Sequence, residues 1–187
     1  MKRYLHLPLA GLLLFAACQN KTDKKPSVEE VIKAAAATPG ANAGADKFDL
    51  SAPAGWQRID TSLSGMKMTA ILSPPDTNKH FRANVNVVTA STNGASLEKY
   101  FDANVDGIKN SLAQFNLIEK GERMFGKLPS RWIHFTGQTA DAIPLEQKLY
   151  VITNGGIAYI ITCTSVKGQL AKDETNFEPI LNSFKVH

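Results

Sequence analysis

Few residues in this 187-residue chain have both the type and the spacing to do chemistry. Its four histidines are His6, His80, His134 and His187. No two stand at the four-residue helical spacing that commonly builds a metal site. His134 alternates with Trp132 along Arg131-Trp132-Ile133-His134-Phe135-Thr136, which is strand patterning, so no metal is expected. Asp102 and Asp106 share one side of a helix, and paired carboxylates can pass protons. They sit among Glu98, Lys99 and Lys109, so a solvated surface is the expectation. Cys163 alternates with Ile161 and Tyr159 on an apolar strand, where a thiol packs and stays unreactive. Neither a Gly-x-Ser-x-Gly elbow nor a phosphate-binding glycine loop is present. The expectation is a protein that is not an enzyme and carries no cofactor.

Binding is better served than catalysis. Trp56 and Trp132 are large aromatics near predicted strand ends, and Arg131 stands beside Trp132. Aromatic residues and arginine are enriched where proteins meet partners. Arg82, Asn84 and Asn86 alternate with apolar residues and would share one strand face with amide and guanidinium groups. A tryptophan at a sheet rim more often plugs the core than lines an interface, so the two readings stand side by side: Trp56 and Trp132 as core plugs, or Trp56, Trp132, Arg131, Arg82, Asn84 and Asn86 as a candidate binding rim.

Cys18 has a different chemistry. Lys2 and Arg3 precede an apolar run from Leu7 to Ala17, and Gln19 switches abruptly to polar sequence. The run is shorter than the roughly 20 residues a membrane-spanning helix needs, and reads as a signal segment. Leu14-Phe15-Ala16-Ala17-Cys18 resembles the bacterial lipobox, with Phe15 where that motif usually has leucine. The resemblance implies cleavage before Cys18 and its acylation with palmitate-like chains. Each buried methylene contributes about 0.8 kcal/mol, so two or more chains anchor a protein stably at a membrane. Gln19 is not the aspartate that retains enterobacterial lipoproteins at the inner membrane. The resemblance thus favours the outer membrane of a bacterial envelope.

The elements that would position these residues follow from composition and periodicity. The formal charge is +4, and setting aside Lys2 and Arg3 leaves +2, with no basic stripe. No nucleic-acid partner is expected. With Cys18 modified, Cys163 has no partner for a disulfide. Gln19–Ala45 reads as a tether, 27 residues that span at most about 90 Å. Ser27 and Glu30 have capping-box spacing, so Val28–Ala37 has the pattern of a short helix, one that is marginal in isolation and reads as a frayed element of the tether. The expected organisation is a signal peptide over 1–17, the lipidated Cys18 with its tether over 18–45, and one folded domain over 46–187.

Within that domain the spacing predicts strands at Phe48–Leu50, after Trp56, at Met66–Leu72 and at Phe81–Ala90. Ser96 then caps a helix whose apolar stripe is Leu97, Tyr100, Phe101, Val105, Ile108 and Leu112. Leu117–Phe125 and Ser130–Gln138 flank a Gly126–Pro129 turn. Leu145–Ser165 carries two apolar runs around Asn154-Gly155-Gly156, a strong hairpin signal that leaves two turn placements open. Both faces of this hairpin are apolar, so it belongs mid-sheet. A last helix falls in Gln169–Ser183, and Pro179 suggests a start near Asn176. The class is α+β: a mostly antiparallel sheet with helices packed on both faces.

Several motifs then occur in a familiar order: Phe48-Asp-Leu-Ser-Ala-Pro53 with Gly55-Trp56, Asn84-Val-Asn-Val-Val88 before Leu97-Glu-Lys-Tyr100, Ala158-Tyr159-Ile-Ile-Thr162, and Phe177 with Ile180-Leu-Asn-Ser-Phe184. This order resembles the PsbP-like α/β/α sandwich, including DcrB-like envelope lipoproteins. The resemblance spans about Lys47 to Val186. It implies a binding or assembly factor with an envelope protein partner, anchored to the membrane by lipid, and it brings no catalytic residues. A carrier of a small apolar or lipid ligand is the second expectation.

Overall fold

The hairpin around Gly155-Gly156 lies at the middle of the molecule. The computed structural model describes residue 37 and residues 39–63, 65–75, 81–139 and 142–187. Both turn glycines have positive φ, +56° and +78°, as a two-residue primed turn requires. Asn154 pairs with Ile157, so the turn is Gly155-Gly156. The strands it joins are β7 (Pro144–Asn154) and β8 (Ile157–Val166).

Seven antiparallel strands form the main sheet in the order β2-β3-β4-β8-β7-β6-β5, which puts β8 at its centre. The others are β2 (Gln57–Leu63), β3 (Met66–Leu72), β4 (Asn84–Ser91), β5 (Ala113–Phe125) and β6 (Leu128–Gln138). Helix α1 (Leu97–Ser111) carries the chain from β4 to the far edge at β5, and β5-β6-β7-β8 returns as a meander. Helix α2 (Leu170–Ser183) follows β8. A separate two-stranded ladder joins β1 (Phe48–Asp49) to β9 (Lys185–Val186), tying the start of the domain to its end.

Strand alternation divides the core in two. Tyr150, Ile152, Tyr159, Ile161 and Cys163 pack with Phe48, Leu50, Phe177, Ile180, Leu181 and Phe184. Leu149, Val151, Ala158 and Ile160, one residue out of step, pack with Tyr100, Phe101 and Ile108 of α1. The parity expected of the hairpin is the parity observed.

Several boundaries differ from expectation. β4 begins at Asn84, not Phe81, because Phe81–Ala83 make no ladder beyond the bond from Ser73 N to Ala83 O. β5 starts at Ala113, directly after α1, and the β5–β6 turn is only Gly126-Lys127. Pro129 pairs with Met124 inside β6. α2 starts at Leu170, and Pro179 lies within it. Proline removes the N–H that would reach Thr175. Thr175 and Pro179 are exposed, while Leu170, Phe177, Ile180 and Leu181 hold the buried side. Residues 40–45, expected within the tether, hydrogen-bond the sheet. Asn42 N donates to Thr89 O at 3.0 Å, and Ser91 N to Gly40 O at 2.8 Å. The Asn42 side chain spans from Gly65 O (2.8 Å) to Lys67 N (2.6 Å). The signal segment, Cys18, the Val28–Ala37 helix apart from its last residue, and His80 lie outside the described residues.

Candidate functional site: a polar cleft beside β2

The sequence-predicted rim residues occupy three places. Asn84 and Asn86 project to the α1 side of β4, since Val85 and Val87 belong to the opposite core cluster. The amide row continues across the sheet through their ladder partners Thr164 and Thr162. Gln147 Nε2 extends it, donating to Thr164 Oγ1 at 2.9 Å. Arg131 is also on the α1 side, but its ladder partner is Val151, so it lies in register with Val88 rather than with the two asparagines. Its guanidinium bonds Glu98 at 3.2 Å and lies 5.3 Å from the Phe101 ring centroid. Arg82 Nε donates to Ser73 O at 2.6 Å, closing the approach to β4.

Both tryptophans are on the α2 side. Trp56 meets Phe177 edge to face, with centroids 6.0 Å apart. Trp132 lies over Gly121, where an added Cβ would come within 2.7 Å of its ring. That contact fixes glycine at 121. Lys148 Nζ stands 5.2 Å from the Trp132 centroid. The structure thus brings Asn84 and Asn86 together and separates them from Arg131, Trp56 and Trp132.

A cleft of about 620 Å³ opens instead on the α2 side of β2, β3 and β4, closed at one end by Ala45, Asp46 and Phe48. Arg58 and Asp60 stand two apart on β2, on the same side as Thr69 and Val87. Arg58 grips Asp60 with two parallel bonds, Nε–Oδ2 at 3.0 Å and Nη2–Oδ1 at 3.1 Å. Such forked guanidinium–carboxylate pairs fix orientation as well as charge. A third donor nitrogen, Nη1, reaches Leu50 O, and Thr69 Oγ1 donates to Asp60 Oδ1 at 2.6 Å. The bonds from Arg58 and then Thr69 hold the Asp60 carboxyl below the usual carboxylate range. Lys67 Nζ is 3.7 Å from Asp46 at the mouth.

Thr89 sits in the floor, 1% exposed. Its hydroxyl has no hydrogen-bond partner among the described residues. Leaving a buried hydroxyl unpaired costs free energy, but this oxygen is itself sealed from the cleft and offers no contact to a guest. The cleft therefore has internally satisfied charges along one wall and a buried, unpartnered hydroxyl beneath its floor. The i, i+2 placing of Arg58 and Asp60 on one strand was legible in the sequence; Thr89 was not, because it becomes a floor residue only when β3 and residues 40–48 close around it.

Other titratable groups on the α2 side serve the helix. Arg123 bonds Glu178 at 2.7 and 2.9 Å and Asn182 at 2.8 Å. Lys148 reaches Glu174, and Ser165 donates to Asp173 at 2.7 Å. His134 Nε2 and Glu146 are 2.8 Å apart, and the same carboxylate accepts from Gly168 N. Cys163 is buried, and desolvation pushes its thiol well above the ordinary range, away from the reactive thiolate. Among the described residues no group of three or more His, Cys, Asp or Glu could hold a metal ion. No helix among them is long and apolar enough to cross a membrane.

No family model and no curated protein matches this chain. Solved structures do. The chain is similar to PA94 of Pseudomonas aeruginosa, a protein of unknown function, with 14% identity and a TM-score of 0.56 over 73% of this chain and 95% of that one. It is similar to LpqN of Mycobacterium tuberculosis, described as involved in cell envelope biogenesis, with 13% identity and a TM-score of 0.56 over 80% and 86%. It is also similar to the cyanobacterial PsbP protein CyanoP of Synechocystis, with 16% identity and a TM-score of 0.52 over 76% and 88%. At these identities the likeness establishes the fold, and the fold is PsbP-like.

Proposed function

We propose that this protein is a cell-envelope lipoprotein, anchored through Cys18, that works by binding rather than by catalysis. Its α/β/α sandwich takes a polar segment of an envelope protein partner into the cleft beside β2. The observation that carries this reading is the cleft wall, where Arg58, Asp60 and Thr69 satisfy one another and stand beside exposed Ser62 and Lys67. A site whose charges are already balanced suits an extended polar chain better than a free ion. The setting proposed for it is the outer membrane, in the manner of DcrB-like envelope lipoproteins. The resemblance of residues 14–18 to a lipobox supports the anchor, and LpqN, of the same fold, is a protein of envelope biogenesis.

The test places a photo-crosslinking residue at exposed Ser62, on the cleft wall, in cells expressing the full chain. A discrete protein adduct that weakens when Lys67→Glu reverses the charge at the mouth supports the reading. Recovery of no protein adduct, with a small molecule co-purifying, would sink it. Anchoring is tested separately: palmitate labelling should disappear in Cys18→Ser, and the protein should leave the membrane fraction.

The volume of the cleft also admits a carrier role. Its lining mixes polar Arg58, Asp60, Lys67 and Thr69 with apolar Phe48, Met68 and Val87, so the small apolar or lipid ligand expected from sequence would have to bring a polar group as well.

A further inference from the structure

β5 is the outermost strand of the sheet, with a neighbour only at β6 among the described residues. It is 13 residues long and carries Leu117, Ile118 and Met124, the exposed large hydrophobic residues of the described chain. A long edge with unpaired backbone groups is a template for another strand, and proteins usually blunt it with bulges and charge. Here the register shifts both lie before Glu119. From Glu119 to Phe125 the strand pairs residue for residue with β6. The regular half of the edge therefore remains open.

Its sequence is Glu119-Lys120-Gly121-Glu122-Arg123. Ladder partners place Glu119, Gly121 and Arg123 on the α2 side and Lys120 and Glu122 on the α1 side. If a second β5 lies antiparallel across a two-fold axis at Gly121, Lys120 faces Glu122 on the α1 side, and Glu119 faces Arg123, whose guanidinium already bonds Glu178 and Asn182, on the α2 side. Gly121, already covered by Trp132, puts no side chain at the axis. Moving the axis by one residue destroys the match: at Lys120 it opposes two lysines, and at Glu122 two glutamates. Opposite charges across a ladder stabilise and like charges destabilise. The self-pairing thus specifies its own register.

We propose that this edge is an isologous interface, at which two copies of the chain join β5 to β5 into one continuous antiparallel sheet. The partner is a second copy because the charge order is complementary to its own reversal. The surface is distinct from the cleft beside β2, at the opposite edge of the sheet.

The test uses the purified full chain in non-ionic detergent, followed by sedimentation velocity over a wide concentration range. Lys120 and Glu122 are exposed, so Lys120→Glu and Glu122→Lys should keep the wild-type circular dichroism spectrum. Each single variant sets like charges across the axis and should sediment as monomer where the wild type is dimeric. An equimolar mixture of the two restores both opposite pairs and should form a heterodimer. A wild type that stays monomeric throughout, single variants that dimerise like the wild type, or a mixture that stays monomeric would each overturn the interface.

Discussion

The two helices of this domain are held by different physics. α1 is defined locally. Ser96 caps it, with its hydroxyl accepting from Lys99 N at 3.3 Å, Glu98 lies in the first turn and Lys109 in the last. Those charges suit the helix dipole. Tyr100, Phe101 and Ile108 pack on the sheet, but among the described residues its side-chain ion pair with the sheet is one, from Arg131 to an exposed Glu98. α2 has no side-chain cap and no basic residue in its last turn, and it contains Pro179. It is held instead by its surroundings: Arg123, Lys148 and Ser165 reach up from three strands to Glu178, Glu174 and Asp173. Phe177 and Phe184 knit it to Trp56, Phe48, Phe125 and Tyr159. A helix can thus be specified by its own sequence or by the shape and charge of what it lands on.

The contrast predicts the largest loss at the aromatic anchor of α2. Phe177 is 1% exposed and touches Trp56 edge to face. Phe177→Ala should cost about 3–5 kcal/mol, the range for emptying a buried phenylalanine site. Urea unfolding followed by far-UV circular dichroism measures it. A loss under about 1 kcal/mol would mean that α2 does not depend on this packing.

The ion pairs give the next effect. Arg123 is 21% exposed at its side chain, fixes Glu178 and Asn182, and lies 5.0 Å from the Phe125 centroid. Its partner Glu178 is 43% exposed, so a double-mutant cycle with Arg123→Ala and Glu178→Ala should return a coupling of about 1 kcal/mol, between that of an open surface pair and a desolvated one. The same cycle on Arg131 and Glu98, whose carboxylate is 71% exposed, should return about 0–0.5 kcal/mol. Equal couplings would erase the distinction between the helices. Ser96→Ala follows, at about 1 kcal/mol for a lost cap, and should appear as earlier amide exchange confined to the first turn of α1.

Legibility in the sequence follows the same divide. α1, its cap and the Gly155-Gly156 hairpin were readable because each is encoded within about 20 residues, by a 3.6-residue stripe or a period-2 alternation around a turn. The start of α2 was misplaced because Pro179 weighs heavily in any local reading, while the contacts that override it come from Arg123 and Lys148, far away along the chain. The rim suffered likewise. Alternation correctly put Asn84 and Asn86 on one face, yet it carries no register between β4 and β6, and so could not show that Arg131 stands opposite Val88. Arg58 and Asp60 were adjacent on their face, but nothing near them announced Thr89 or the closing segment at residues 40–48. Pairing over long separations, not composition, makes the cleft.

Pro179 offers the finest discrimination. In a helix interior proline costs about 3 kcal/mol relative to alanine. That figure is a net one and already contains proline's restriction of the unfolded chain. It shrinks where the surroundings already hold the helix on a path that accommodates the ring, and Thr175, whose carbonyl loses its donor, is exposed to water here. Pro179→Ala should therefore stabilise the protein by about 1 kcal/mol, seen as a small rise in the urea midpoint with an unchanged slope. A gain near 3 kcal/mol would show that α2 is held against its own backbone, with the ion pairs absorbing the strain. A loss would show that the ring, not the surrounding charges, sets the path of the last turn.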